Sequence, residues 1–219
     1  MDRPAGRERF PIAGAADSLA GMTAVAFPGT ELPDRLRLKL RIDPALLMAD
    51  LARFGEGDWT RHYVRQNYEG EWSVIPLRAP AGETHPLRQI YPDPAATCFV
   101  DTMMLDRAPA VREVLGLFHC PLRAVRLMRL TPGSAIRRHQ DSGLDPESGM
   151  ARIHIPIVTG PGVEFLLNGV PVEMMPGSAW YLRLSDPHEA VNRGAGDRVH
   201  LVIDAWLNDW LLEALRAAA

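Results

Sequence analysis

From Leu122 onward the chain is cut into short runs of alternating polarity by Pro/Gly turns, and no other feature limits its fold so strongly. Residues 123–130 (RAVRLMRL) alternate and end at Thr131-Pro132-Gly133, a turn signal. Residues 151–158 (ARIHIPIV) set Arg152, His154 and Pro156 on one side and Ile153, Ile155 and Ile157 on the other. Gly160-Pro161-Gly162 makes the next break. Residues 163–167 and 170–174 read as strands joined by Asn168-Gly169, a two-residue hairpin signal. Pro176-Gly177 precedes a run at 178–184, and 198–206 is the last alternating stretch. Many short strands broken in this way predict an antiparallel sandwich or jelly roll.

The N-terminal half carries helix signals. Asp43 as N-cap and Pro44 in the first turn predict a helix over 45–54, with Leu46, Leu47, Leu51 and Phe54 at helical spacing. Residues 72–78 (WSVIPLR) read as a strand interrupted by Pro76, 79–96 as a loop, and 109–118 as a short amphipathic helix. The stretch 207–219 is helix-like, and its Trp210, Leu211 and Leu215 could cover the sheet or a partner equally well. At 219 residues there is enough chain for one substantial core. One domain is therefore expected over 31–219, with a β core at about 122–206. Residues 1–30, rich in Ala, Gly, Pro and Arg without a period, are expected to be irregular or poorly ordered.

Composition narrows the partners. A formal net charge of −3, with no Lys/Arg run, argues against nucleic acid and anionic membranes. Cys98 and Cys120 form neither a disulfide framework nor a metal spacing, and two buried or half-buried thiols are expected. No apolar run is long enough to span a bilayer. Residues 18–27 come nearest to a secretory core, but acidic residues precede them and Gly and Thr interrupt them. A cytoplasmic protein is expected.

The chemistry gathers around His139 and Asp141, with His188 and Arg198 further on. Two imidazoles and one carboxylate form the facial ligand set of a mononuclear non-haem iron site, leaving half an octahedron open for a cosubstrate and dioxygen. Arg198 opens an otherwise apolar strand. A buried guanidinium asks for an anion, and a dicarboxylic cosubstrate such as 2-oxoglutarate supplies one for two parallel bonds. The alternative is an edge arginine paired with Asp197 or Glu189. Arg152 and His154 share a strand face, as do Arg198, His200 and Asp204. These polar faces either converge on a wet cavity or face solvent, and periodicity alone does not choose.

Taken in order, RLTPGSAIRRHQD (129–141), ARIHIPIVT (151–159), VEFLLNG (163–169), PGSAWYL (176–182), PHEAVNRG (187–194) and DRVHLVIDAWLNDWL (197–211) resemble the bacterial branch of the aspartyl/asparaginyl β-hydroxylase family. The resemblance is strongest over about 122–211. It implies a mainly β fold, with a double-stranded β-helix (jelly roll, cupin-like) core, supporting N-terminal helices and a C-terminal helix. It implies Fe(II) on His139, Asp141 and His188, and the distal carboxylate of 2-oxoglutarate on Arg198. Arg152 and His154 match positions that hold the cosubstrate near its 1-carboxylate. Animal members lack the carboxylate ligand that Asp141 supplies here. Where they place a hydroxyl beside the cosubstrate, this chain has Met128. The implied reaction couples oxidation of 2-oxoglutarate by dioxygen, giving succinate and CO2, to hydroxylation of a C–H bond in an amino acid or peptide-like substrate. His200, Trp180 and Arg138 are the candidate substrate contacts, with Arg129 and Arg137 further possibilities. Two rivals are a cupin-like metal protein needing no Arg198, and a non-catalytic jelly-roll binding module. Oligomeric state is not legible in the sequence.

Overall fold

The computed structural model describes residues 31–91 and 95–219. The expectations for residues 1–30, including the apolar stretch 18–27, lie outside the described residues. In chain order the elements are β1 (Arg35–Leu38), α1 (Pro44–Leu51), β2 (Thr60–Arg61), β3 (Tyr68–Glu69), β4 (Trp72–Pro80), α2 (Pro86–Ile90) and β5 (Phe99–Asp101). There follow α3 (Pro109–Leu115), β6 (Leu122–Leu130), β7 (Ser134–His139), β8 (Met150–Val158), β9 (Val163–Leu167) and β10 (Val170–Pro171). The last four are β11 (Ala179–Leu182), β12 (His188–Asn192), β13 (Arg198–Trp206) and α4 (Asp209–Arg216).

The strands form two antiparallel sheets. The larger runs β1-β11-β8-β13-β6-β4-β2, with β5 on β4, and the smaller runs β10-β9-β12-β7-β3. From β6 to β13, apart from the β9–β10 hairpin, consecutive strands pass from one sheet to the other, as in a double-stranded β-helix of mainly β class. The helices α1, α3 and α4 lie on the outer face of the larger sheet. Leu47 of α1, Val111, Val114 and Leu115 of α3, and Leu211, Leu212 and Leu215 of α4 join Ile153, Ile155, Ile157, Leu201 and Ile203 in one buried cluster. The C-terminal helix therefore covers the sheet, its first turn capped by Asn208 on the Leu211 N–H at 3.0 Å. Truncating one of these buried isoleucines to Ala costs about 2–5 kcal/mol.

With the aliphatic face turned to the helices, the other face of the same strands turns inward. Between the sheets lie Trp72, Val74, Met128, Leu130, Phe165, Leu184 and Val202, together with the buried polar residues Arg126, Arg152, His154, Arg198, His200 and Asp204. The converging-cavity arrangement is the one adopted.

Several local signals map directly onto structure. Asp43 caps α1 by accepting the Ala45 N–H at 2.9 Å. That helix stops at Leu51, short of the expected Phe54, and Leu46 is exposed. Asp50 on α1 is buried because its carboxylate accepts the Val111 N–H at 2.9 Å, which caps α3. β4 continues through Pro76 by shifting register between Pro76 and Arg78. The expected loop 79–96 contains the helix α2, capped by His85. Asn168 (φ 55°) and Gly169 (φ 74°) both adopt the positive φ of a type I′ hairpin turn. Cys98 is exposed and Cys120 half-buried, both free thiols. Among the described residues, no helix is long and apolar enough to cross a membrane.

Candidate metal centre and its two chambers

His139 is the last residue of β7 and His188 the first of β12, and the two are register partners at one end of the smaller sheet. Their ring centroids are 4.3 Å apart. Asp141 lies two residues past β7, where its N–H donates to the Leu184 carbonyl at 2.8 Å. The turn that delivers His188 is fixed from below. Asn168 donates its backbone N–H to the Pro187 carbonyl at 2.9 Å and its side-chain amide to Asp186 at 2.7 Å. One ligand atom from each of His139, Asp141 and His188 falls within 4.8 Å of the other two.

Both imidazoles are held in one tautomer. His139 Nδ1 lies 2.7 Å from the Arg137 carbonyl, and His188 Nδ1 lies 3.0 Å from the Asp186 carbonyl. A carbonyl only accepts, so each Nδ1 carries the proton and each Nε2 keeps its lone pair for a metal. Burial pushes the His188 pKa down to about 4, which keeps that ring in its neutral, ligating form.

Asp141 is oriented by an arginine. Arg152 Nη1 donates to Asp141 Oδ2 at 2.6 Å, while Asp141 Oδ1 lies 3.6 Å from His139 Nε2. The rest of the Arg152 guanidinium meets Asp204, Nε on Oδ1 at 2.5 Å and Nη2 on Oδ2 at 3.0 Å. Arg126 also donates to Asp204. Burial alone would raise the Asp204 pKa, but Arg126 and Arg152 outweigh it and hold the carboxyl at about 2. Four buried or half-buried charges thus run in a line, Arg126–Asp204–Arg152–Asp141, and end at the triad.

The triad separates two chambers that share Trp72, Met128, His139, Asp141 and Arg152. The inner one, about 40 Å³, runs between the sheets to Arg198, with Phe165 and His154 in its wall. Arg198 is 2% exposed and makes no ion pair among the described residues. Its Nη2 lies 3.1 Å from His200 Nδ1, its guanidinium 5.9 Å from the Phe165 ring centroid, and its Nε has no partner. Asp197 lies 3.8 Å from Arg129 instead. Burial lowers the Arg198 pKa to about 10. His154 Nε2 is likewise buried without a partner. A buried cation and a buried ring nitrogen left unsatisfied are costly, and both line a cavity that an anion could fill.

The outer chamber, about 650 Å³, opens on the other side of the triad beneath two aromatic walls. In one wall His62 stacks between Tyr63 (4.6 Å) and Trp72 (3.5 Å), and burial pushes its pKa down to about 3. In the other, Phe99 meets Trp206 edge-on at 5.8 Å.

The candidate substrate contacts fall elsewhere. His200 is buried behind Arg198 and 3.4 Å from His154, outside both linings. Trp180 is half-buried with its Nε1 on Ser178 Oγ at 2.9 Å, and Arg138 is exposed; neither lines a chamber. Arg129 pairs with Glu56 and Arg137 with Glu69. Sequence reasoning did not single out Arg126 or His62. Arg126 was detectable, because it shares its strand parity with the inward Met128 and Leu130.

The family model for aspartyl/asparaginyl beta-hydroxylase matches residues 48–208, so the chain belongs to that family. No curated protein is found to match it. Among solved structures it is similar to an oxidoreductase of the 2OG-Fe(II) oxygenase family from Burkholderia pseudomallei, at 17% identity and a TM-score of 0.51, covering 74% of this chain and 77% of that one. A prolyl-4-hydroxylase from Pseudomonas putida also matches, at 16% identity and a TM-score of 0.47, covering 80% and 93%. Family and fold point to an oxidoreductase of the 2-oxoglutarate- and Fe(II)-dependent oxygenase class, and the His139-Asp141-His188 cluster fits that chemistry.

Proposed function

We propose that this protein is an Fe(II)- and 2-oxoglutarate-dependent dioxygenase that hydroxylates a C–H bond of an amino acid or amino-acid residue. The observation that carries the reading is the unpaired, buried Arg198 on the far side of a His/Asp/His cluster. A cupin-like metal protein without 2-oxoglutarate, or a simple binding module, has no use for that uncompensated cation.

His139 Nε2, His188 Nε2 and one oxygen of Asp141 would hold the metal. Bound there, Fe(II) and 2-oxoglutarate supply dioxygen activation and C–H oxidation, with succinate and CO2 as co-products. Arg198 neutralises the distal carboxylate and sets how deep the cosubstrate sits. Arg152 presents positive charge near the 1-carboxylate while keeping Asp141 in place, and His154, neutral through burial, lies in the wall of the same chamber. Among the described residues the inner chamber contains no hydroxyl side chain, and Met128 occupies its wall. The aromatic rim of the outer chamber limits water around the reacting C–H bond.

The test is succinate release from 2-oxoglutarate under air with Fe(II), scanned across free amino acids and short peptides. At least one should raise succinate above the substrate-free rate and gain one oxygen atom by mass. Absence of succinate with every member, and without substrate, contradicts the reading.

A further inference from the structure

His62, the residue after β2, is buried in the lining of the outer chamber, which also presents His139 and Asp141. Its ring lies on Trp72 with centroids 3.5 Å apart and planes 7° apart, and Tyr63 stacks on it at 4.6 Å. The backbone is anchored as well. Its N–H donates to the Trp72 carbonyl at 2.8 Å, and its carbonyl accepts the Tyr68 hydroxyl at 3.2 Å. The ring therefore has little freedom to turn.

The same surroundings choose its tautomer. The Val64 N–H donates to His62 Nδ1 at 3.3 Å, so Nδ1 keeps its lone pair and the proton of the neutral ring sits on Nε2. Among the described residues nothing accepts that Nε2–H, and it is not sealed from solvent as His154 Nε2 is. It is a fixed, uncharged donor left open to the chamber. Arg126 and Arg152 line the same space, but Asp204 and Asp141 balance their charges. A ring wanted only for the stack would serve as well as phenylalanine, without the cost of burying an imidazole.

We propose that His62 is a substrate contact of the outer chamber, donating its Nε2–H to an acceptor oxygen, an amide carbonyl or a carboxylate, of the molecule held beside His139 and Asp141. This deepens the oxygenase reading, on which the chemistry performed on that molecule rests; the binding itself needs no turnover.

The experiment is isothermal titration calorimetry of the full chain with two probes. N-acetyl-L-phenylalanine amide offers only carbonyl oxygens and L-phenylalanine only a carboxylate, and each has an aromatic body for Tyr63, Tyr91, Phe99 and Trp206. His62→Phe keeps the aromatic stack and removes the donor, whereas His62→Gln keeps a donor and removes the stack. At least one probe should bind the wild type and weaken about three- to tenfold in His62→Phe, the size of one lost hydrogen bond. His62→Gln should retain more of that affinity than His62→Phe, and the probe that responds tells which oxygen is taken. In the long-range 1H–15N spectrum of histidine-labelled protein, the His62 signals, assigned by their loss in His62→Gln, should show Nε2 protonated and should shift on adding that probe. This spectrum carries the test if His62→Phe does not fold. The proposal is overturned if the proton sits on Nδ1, if neither probe binds, or if His62→Phe binds both as the wild type does. The titrations are run with and without Mn(II) and 2-oxoglutarate. Failure of those two to bind counts against the oxygenase reading instead, while the probes still judge His62.

Discussion

Arg152 donates Nη1–H to Asp141 Oδ2 at 2.6 Å, so the Asp141 carboxylate enters the triad with one oxygen already committed. The other oxygen lies on the His139 side, 3.6 Å from its Nε2. Arg152 is itself held by both oxygens of Asp204, which makes that buried carboxylate the anchor of the metal ligand two contacts away.

Asp204→Ala should therefore act on both stability and metal binding. Removing one partner of a buried ion network leaves Arg126 without a carboxylate and Arg152 with Asp141 alone, at a cost of about 3–5 kcal/mol. Urea unfolding of the variant should show that loss as a lower midpoint. Mn(II) affinity, measured by calorimetry, should fall about 10–100-fold as Asp141 loses its orientation. Unchanged values for both would remove Asp204 from the account.

Arg198 should behave in the opposite way. A buried guanidinium without an ion pair is held at a cost, so Arg198→Met should leave stability unchanged or raise it. The same substitution should weaken 2-oxoglutarate by about 2–5 kcal/mol in binding free energy while leaving Mn(II) affinity intact. A large drop in melting temperature would mark Arg198 as structural.

The buried histidines set a pH dependence. Burial pushes His62 down to about 3 and keeps His154 and His200 well below their ordinary value. In the unfolded chain each titrates near about 6.5. The unfolded state therefore binds more protons below that pH, and stability falls as pH drops from 6.5 towards the folded-state values. Each such group contributes a loss of about 1.4 kcal/mol per pH unit in that window. Urea unfolding at pH 7.5 and 5.5 should show the decline, and His62→Gln should make it shallower. Equal stability at the two pH values contradicts the assignment.

The β core and the triad were legible because their signals are local. Proline, glycine and Asn-Gly mark the strand ends, and His139, Asp141 and His188 sit at those ends. The direction in which the polar faces point was not legible from β8 and β13 alone, since alternation is symmetric between inside and outside. It depends on α1, α3 and α4 covering the aliphatic side, which is a tertiary fact. The helix α2 was hidden because five residues opened by His85-Pro86 carry little periodicity. The ion network was hidden for another reason. Arg126 and Asp204 belong to strands far apart in sequence, and the regular charges at 123, 126 and 129 obscure which of them turns inward.

The central claim is that one ferrous ion sits on His139, Asp141 and His188 with 2-oxoglutarate reaching back to Arg198. An anaerobic titration with Fe(II) and 2-oxoglutarate, followed in the visible range, tests it most directly. A weak charge-transfer band should appear only when both are present, and should be lost in Asp141→Ala and His188→Ala. A wild-type protein that gives no band, or a band that survives those substitutions, would contradict the account.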